Sequence, residues 1–201
     1  MAESPSSPPT ALLYLATWLP PKLHQEFSKW CDDHHREQLS LPGFQRGRRF
    51  ECLDGGQDDD PPQFLTMYDL DSLDSLSSDE YRQHSRQSAG LPKFLEGAIR
   101  VQRRECTVIA VVPKLWWPPA PTPLLEVFQL NDDKLMDDLS QQINQLPDVP
   151  EPDFSLRLVD SIDNEPLVLV DHTNATKMIE TIAAVSGSLR SSWRCCFDEF
   201  G

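Results

Sequence analysis

The sequence predicts an α+β protein in which two consecutive βαββαβ units pack together as a barrel within one chain. Three observations lead to this prediction. Strand patterns and helical patterns follow one another in the same order twice along the chain. A segment with five prolines, residues 113–123, separates the two passes. The length of 201 residues suffices for two small units, each of which can cover the apolar sheet face of the other.

The first pass covers residues 11–112 and contains four predicted strands and two predicted helices. Apolar or aromatic residues at Phe27, Trp30 and Cys31 recur every three to four positions, which predicts the first helix. Pro42 and Gly43 end it. The predicted elements are a strand at 11–19, a helix at 23–39, strands at 44–53 and 63–70, a helix at 73–88 and a strand at 98–112.

The second pass, residues 124–201, repeats this order behind the Pro/Trp-rich linker at 113–123. Strands are predicted at 124–130, 154–162, 167–172 and 192–200, and helices at 132–146 and 176–184. The split βαββαβ order is that of the ferredoxin-like unit. We therefore expect two ferredoxin-like units packed as a single-chain pseudo-dimeric α/β barrel. The Ser/Pro-rich residues 1–10 predict a disordered tail.

Composition narrows the class of protein. The formal net charge of -14 argues against a nucleic-acid or membrane partner, because phosphate groups would repel such a chain. The sequence has no apolar run long enough for a membrane-spanning helix and no secretory signal pattern at residues 1–10. Its five cysteines include no CxxC pair, which favours reduced thiols. We expect a cytoplasmic protein, either a monomer or a homodimer.

One motif resembles a known family. The segment WCDDHH at residues 30–35, followed by LPGF at 41–44, RRF at 48–50 and QFLTMYDL at 63–70, resembles the dimeric α/β-barrel superfamily. Its nearest members look like the antibiotic-biosynthesis monooxygenase and EthD-like groups. The sequence departs from their pattern at Cys31, where an aromatic residue is usual, and at His34, where a glutamate is usual. The resemblance covers the first unit, which would carry the site, whereas the second unit shares only the element order and is expected to be structural.

The resemblance implies a kind of site and leaves the reaction open. Members of the superfamily include cofactor-free oxygenases, polyketide cyclases, decarboxylases, isomerases and haem-degrading enzymes. Fold membership does not choose between these chemistries. The motif places Trp30, Asp32 and His35 at the family's tryptophan, aspartate and histidine.

Three side chains are the catalytic candidates. His35 and His34 lie on the predicted apolar stripe of the first helix, where an imidazole can take a proton from a phenol or an acidic carbon. Tyr68, on the third strand, could donate a hydrogen bond to a developing oxyanion in the same cleft. The alternative is a structural role, with the histidines capping a core and the tyrosine packing in it.

Five further residues are candidates for substrate binding. Trp30 and Phe27 would form an apolar wall. Arg48 could anchor a substrate carboxylate, although a solvated strand edge is the alternative use of such an arginine. Strand periodicity places Arg46 and Arg48 on one face of the second strand and Arg49 on the other. Tyr81 and His84, three positions apart on the second predicted helix, could close the cleft from the other side.

These residues suggest a cofactor-independent enzyme of the cyclase, decarboxylase or monooxygenase type. Its partner would be a small hydrophobic, oxygenated molecule of the polyketide or aromatic kind, with a histidine as base. No cofactor and no metal site are expected, because the aspartate runs lack metal-loop spacing and no phosphate-binding or hydrolase motif occurs. The alternatives are a non-catalytic ligand-binding or interaction scaffold, and a haem protein with His35 or His34 as axial ligand.

Overall fold

In the computed structural model of the chain, eight strands and three α-helices lie within the described residues. These are residues 8–53, 62–87, 92–112, 124–130, 133–145, 154–161, 166–172, 182 and 190–200. The first half contains β1 (Ala11–Trp18), α1 (His24–Leu39), β2 (Phe44–Cys52), β3 (Phe64–Leu70), α2 (Asp79–Gln87) and β4 (Arg100–Val112). The second half contains β5 (Leu124–Gln129), α3 (Asp133–Gln145), β6 (Phe154–Ser161), β7 (Leu167–His172) and β8 (Arg190–Phe200).

The eight strands close into one antiparallel barrel with the order β1-β3-β2-β8-β5-β7-β6-β4. The strands of the first half are neighbours in the order β4-β1-β3-β2, and those of the second half in the order β8-β5-β7-β6. Two seams join the halves, β2 with β8 and β4 with β6. The barrel predicted from the sequence is therefore present, as an α+β architecture in which the two halves complete one sheet.

Strand β1 shows how the sequence forms two cores. Its side chains alternate, so that Leu12 and Tyr14 lie in the core inside the barrel while Leu13 and Leu15 face outwards, against the helices. Both faces are apolar, which explains why β1 is a continuous apolar run. The core inside the barrel also contains Phe50, Leu65, Met67, Cys106, Leu125, Val127, Val159, Leu169 and Trp193. A separate core lies under α3.

A buried ion cluster shares the barrel interior with this apolar core. Arg48 and Asp69 come from the first half, and Arg157 and Asp171 from the second half. Arg157 donates to Asp69 at 2.7 Å and to Asp171 at 2.9 Å, and Arg48 donates to Asp171 at 2.5 Å. All four side chains are at most 1% exposed. Two positive and two negative charges thus balance each other across the halves.

The predicted helix at 73–88 is wrong in one respect. The chain forms a 3₁₀ turn at Leu73–Ser77, becomes extended at Ser78, and only then enters α2. The Ser72 hydroxyl accepts from the backbone N–H of Asp74, and the Ser78 hydroxyl accepts from the backbone N–H of Tyr81. Each serine accepts a hydrogen bond from a backbone N–H group in the first turn of a helix, so the segment contains two separate helical starts.

The other described elements agree with their predicted ranges to within about two residues. Thr10 donates its backbone N–H to the carbonyl of Leu70, so the described strand pairing begins one residue before the predicted boundary. The predicted helix at 176–184 lies outside the described residues, apart from residue 182, as do the linker at 113–123 and residues 1–7 of the predicted tail. Among the helices that the structure describes, none combines the length and apolar composition needed to cross a membrane.

Candidate functional site

A cavity of about 240 Å³ lies between the outer face of the first-half sheet and the helices α1 and α2. Its walls are largely apolar, and a set of polar side chains interrupts them. The apolar lining consists of Leu13, Leu15, Phe27, Trp30, Ile99 and Val101. The polar lining consists of Thr17, Cys31, His34, His35, Gln38, Thr66, Tyr68, Tyr81, Ser85 and Arg103. A concave site of this composition suits a small apolar ligand with a few oxygen atoms.

His35 is the least exposed titratable side chain of the cavity lining. Its position on α1, four residues after Cys31, turns it inwards, and its side chain is 0% exposed. Its Nε2 lies 3.2 Å from the Sγ of Cys31, whereas its Nδ1 has no hydrogen-bond partner among the described residues. Burial, with smaller contributions from Arg49, His34 and Arg36, lowers the pKa of His35 to about 3. The imidazole is therefore neutral at physiological pH.

Aromatic rings fix the orientation of His35. The ring of Tyr68, from β3, meets it edge to face at 5.2 Å, and the ring of Phe197, from β8, does so at 4.8 Å. Phe197 belongs to the second half of the chain, which the sequence predicted to be merely structural. Burial raises the pKa of Tyr68 well above its usual value, so that its hydroxyl keeps its proton.

The backbone beside Tyr68 leaves room for its ring. A Cβ atom on Gly47, which lies on the neighbouring strand β2, would stand 3.3 Å from the Tyr68 ring. The absence of a side chain at this position lets the two strands and the ring approach closely.

Tyr81 and Arg103 form the polar part of the wall on the α2 side. The Arg103 guanidinium donates to the Tyr81 hydroxyl at 2.8 Å and to Glu105 at 2.8 and 3.0 Å. Tyr81 in turn stacks on Phe44 with 5.7 Å between ring centroids. A substrate oxygen at this wall would contact the Arg103 guanidinium, whose orientation is fixed by its hydrogen bonds to Tyr81 and Glu105.

His34 sits at the edge of the cavity, between Trp30 and His84. The Trp30 ring stacks on it at 4.9 Å with an interplanar angle of 12°, and His84 from α2 lies at 5.7 Å. Burial lowers the pKa of His34, and the nearby His84 lowers it further. The structure thus brings together all the predicted site residues except Arg48: His35, His34, Tyr68, Trp30, Phe27 and Tyr81 line the cavity, and His84 contacts His34.

Arg48 lies on the other side of the sheet. Its guanidinium belongs to the ion cluster inside the barrel, and it is absent from the lining of the cavity. Period-two alternation placed Arg48 and Arg49 on opposite faces, and that prediction is confirmed. The cavity side belongs to Arg49, which contacts Asp32 at 2.8 Å and donates to the carbonyl of Ser28, both on α1.

Several polar residues of the lining were not predicted. Arg103 is the clearest case, because it follows Val101 at period two on β4, and both side chains line the cavity. The alternation was visible in the sequence, but the choice between the two faces of that strand was not. Thr66 shares its sheet face with Tyr68 and could have been found from the same spacing.

His35 does not suit the ligation of a haem. An axial histidine needs a nitrogen that faces a space wide enough for the macrocycle. The Nε2 of His35 faces Cys31, and its ring is packed by the rings of Tyr68 and Phe197. His34, the other haem candidate, lies at the edge of the cavity and is stacked on Trp30.

Comparison with known proteins gives a likeness of fold. No protein-family model matches the sequence, and no curated protein matches it. Three solved structures are similar over nearly the whole chain. A "putative monooxygenase" from Lactobacillus acidophilus NCFM has a TM-score of 0.65 and 6% identity, covering 95% of this chain and 96% of its own. An anthrone oxidase-like protein has a TM-score of 0.62 and 13% identity, covering 97% and 94%. A second "putative monooxygenase", from Fusobacterium nucleatum subsp. nucleatum, has a TM-score of 0.62 and 8% identity, covering 98% of this chain and 96% of its own. At these identities the likeness establishes the shared fold alone.

Proposed function

We propose that the chain is a small-molecule enzyme of the oxidase or monooxygenase type. Its substrate would be an apolar, oxygenated molecule of the aromatic or polyketide kind, bound in the cavity between α1, α2 and the first-half sheet. One observation carries the proposal: the neutral imidazole of His35, whose buried Nδ1 has no partner among the residues that the structure describes, belongs to the lining of a largely apolar cavity. The names of the three structural neighbours favour oxygenation over the other reactions of the superfamily.

The proposed reaction starts with removal of a proton from an acidic C–H group. His35 would accept the proton of a methylene that is conjugated with a carbonyl, directly or through aromatic rings, and the Tyr68 hydroxyl would donate a hydrogen bond to the resulting enolate oxygen. The enolate then reacts with molecular oxygen. The methylene carbon loses two hydrogens and becomes a carbonyl carbon, while the second oxygen atom leaves as water. The substrate supplies all four electrons, so no further reductant is needed.

The low pKa of His35 decides how this step can proceed. A pKa of about 3 keeps the nitrogen available as an acceptor but makes an isolated imidazolium costly. The enolate formed beside it carries the opposite charge, and the attraction is strong in a site shielded from water. The imidazolium and the enolate would therefore form together, as an ion pair. Cyclisation and decarboxylation of a polyketide-like substrate would begin from the same enolate.

Anthrone is a suitable first probe, because it carries an acidic methylene beside two aromatic rings. Oxygen uptake and quinone formation are measured together, and one O₂ is expected for each anthrone consumed. His35→Ala should lower kcat by about 100- to 10,000-fold. Tyr68→Phe should lower it by about 100-fold. His24→Gln, a change of the histidine that begins α1 outside the cavity lining, serves as the matched control and should keep the wild-type rate.

Wild-type turnover of His35→Ala would remove His35 from the mechanism. Absence of any turnover by the wild-type chain with anthrone and with related phenols and polyketides would contradict the enzyme proposal itself.

A second candidate function is ligand binding without turnover. The depressed pKa of His35 and its contact with Cys31 are also what a buried, purely structural imidazole would show. In that case an aromatic ligand should quench the fluorescence of Trp30, which lines the cavity, while oxygen uptake stays at the background rate. Loss of the quenching in Trp30→Phe would attribute the signal to this site.

We further infer that the barrel consists of two ferredoxin-like units, residues 11–112 and 124–201, in pseudo-dimeric arrangement. The strand orders β4-β1-β3-β2 and β8-β5-β7-β6 support this, since each half repeats the same relative order. The inference predicts a helix at 176–184 as the counterpart of α2. Backbone chemical shifts from NMR would test it, and extended values across 176–184 would contradict it.

A further inference from the structure

A second cluster of side chains lies beside the cavity, at its edge. His34 and Glu37 are three positions apart on α1, and His84 faces them from α2. One nitrogen of each imidazole and one carboxylate oxygen of Glu37 all lie within 4.8 Å of one another. The Nδ1 of His34 is 3.9 Å from the Glu37 carboxylate. From the sequence, His34 was a candidate base or haem ligand and His84 a candidate substrate contact, whereas Glu37 was not among the candidates.

We propose that His34, Glu37 and His84 bind a divalent transition-metal ion, such as Zn²⁺, at the edge of the cavity. Two imidazoles and one carboxylate form a ligand set that suits zinc and other ions of the first transition row. Three protein ligands leave at least one coordination position open, as in metal sites that act on a bound molecule. The proposal does not depend on the proposed oxygenation, because neither His35 nor Tyr68 belongs to it.

The spacing of the two imidazoles suits a shared ion. Two imidazoles bound to one tetrahedral zinc at their usual bond lengths have ring centroids roughly 5 Å apart. The His34 and His84 centroids are 5.7 Å apart, but the rings are stacked at 22°, so the His84 ring must turn for both lone pairs to point at one ion. Donor atoms around such an ion are roughly 3.3 Å apart, so the ligand atoms must close by about 1.5 Å at most. The Glu37 side chain is 64% exposed and can make this movement by rotation.

Two neighbours hold His34 in the required orientation. Trp30 stacks on one face of its ring. The amide group of Gln38 lies 3.4 Å from the His34 Nε2, and the buried Oε1 of Gln38 has no hydrogen-bond partner within the described part of the chain. If the two ends of that amide are exchanged, Oε1 accepts a hydrogen bond from Nε2–H. The lone pair of Nδ1 then faces Glu37. In most metal-binding histidines the other ring nitrogen likewise donates its N–H to an acceptor, which leaves the first nitrogen free for the metal.

The proposal is tested by metal binding to the full chain after treatment with a chelator. Co²⁺ is titrated while its visible absorption is recorded, and Zn²⁺ binding is measured by calorimetry. One saturable ion per chain is expected. His84→Gln and Glu37→Gln should each weaken binding by at least about tenfold. Glu37→Gln changes an exposed side chain, so it tests the ligand without disturbing the fold.

Two controls separate this site from other donors. His24→Gln removes a histidine from the start of α1, outside the cluster, and should bind metal like the wild type. Cys196→Ser replaces a thiol outside the cluster by a hydroxyl that can keep the hydrogen bonds with Arg49, and should also leave the affinity unchanged. The proposal is overturned if the wild-type chain shows no saturable binding up to about 1 mM ion. Equal affinity of the wild type, His84→Gln and Glu37→Gln would overturn it as well. Neither result would bear on anthrone oxidation by His35.

Discussion

At the residue scale, the charges inside the barrel depend on one another. Asp171 accepts hydrogen bonds from Arg48 and Arg157 and from the Ser155 hydroxyl. Burial alone would raise the pKa of Asp171, but the two guanidinium groups outweigh it and lower the pKa to about 2. Two buried arginines are thus held by the carboxylates of Asp69 and Asp171, and removing either carboxylate leaves positive charge without a counter-charge.

Replacing Asp171 by asparagine should destabilise the protein at pH 7 by about 3–5 kcal/mol, because the buried arginines lose one counter-charge. The measurement is the free energy of unfolding from urea titrations monitored by circular dichroism. Asp79→Asn is the matched control. The Asp79 side chain is 99% exposed, so this change should alter the stability by less than about 0.5 kcal/mol.

Asp171 should also contribute to the acid sensitivity of the fold. Its pKa is lower in the folded state than the ordinary value of 3.8, so the folded state resists its protonation. The stabilisation is complete above about pH 4 and is lost as the pH falls towards 2, a contribution of roughly 2 kcal/mol. The stability of Asp171→Asn should therefore fall less steeply over this interval. Equal slopes for the variant and the wild type would contradict the assignment.

The position of Arg48 shows the limit of prediction from single residues. Period two established that Arg48 and Arg49 face opposite ways, but it could not show which face the helices cover. The partners of Arg48 are Asp69 on β3 and Asp171 on β7, the latter 123 positions away in the sequence. An arginine in the middle of a strand signals a buried partner or a solvated surface, and only the closure of the barrel decides between them.

At the scale of elements, α1 is the element that positions the site. It supplies Phe27, Trp30, Cys31, His34 and His35 to the cavity. Arg49 attaches this helix to the sheet, because its guanidinium contacts Asp32, donates to the carbonyl of Ser28 and reaches the Sγ of Cys196 on β8. The hydrophobic packing of Phe27 against Phe64 completes the attachment.

Replacing Arg49 by alanine should therefore loosen α1. We expect a loss of about 2–4 kcal/mol in the free energy of unfolding, since the Ser28 carbonyl and the Asp32 carboxylate lose a buried donor. Arg36→Ala is the matched control on the same helix. Arg36 is 54% exposed and pairs with Asp33 and Glu199 near the surface, so its loss should cost less than about 1 kcal/mol. Similar losses for both variants would contradict the anchoring role of Arg49.

The elements themselves were largely predictable. Strand β7 was predicted with its exact bounds, because a short apolar run marks it. Helix α1 was predicted to within one residue, because its apolar residues recur every three to four positions. The division of 73–88 into a 3₁₀ turn and α2 was missed. Serines at 72, 75, 77 and 78 are compatible with a helix surface, and their side-chain bonds to the backbone become visible only in the structure.

At the scale of the whole molecule, the two halves share one interior. The core inside the barrel draws Leu12 and Phe50 from the first half and Leu169 and Trp193 from the second half. Strand β2 pairs with β8 from Arg46 to Cys52, and β4 pairs with β6 from Cys106 to Val112. Separating the halves would expose this core and break the ion cluster. We therefore expect the two halves to unfold together.

Hydrogen exchange measured by NMR should therefore show one global unfolding event. The slowest amides of β1, central in the first half, and of β7, central in the second half, should exchange with opening free energies that agree within about 1 kcal/mol. A value for β7 several kcal/mol below that for β1 would show that the second half opens independently.

The pairing between the halves could not be predicted residue by residue. The repeated βαββαβ order predicted a barrel built from two halves, but it did not show which strands join the halves or in which register. The register of β2 against β8 includes a shift between Arg49 and Phe50, and that of β4 against β6 includes one between Val108 and Ala110. These shifts in register depend on how strands from distant parts of the chain pair, and the local sequence gives no indication of them.

The closed order of the barrel also bears on how copies of the molecule meet. An open sheet ends in a row of backbone N–H and C=O groups that can recruit a strand from another chain, which is a common route to aggregation. Each of the eight described strands is hydrogen-bonded on both sides, so those strands offer no such row. Contacts between copies would then rest on side chains, where the net charge of -14 favours separation. Point changes on the outer surface, rather than changes in the strands, would be the means of tuning the colloidal behaviour of this protein.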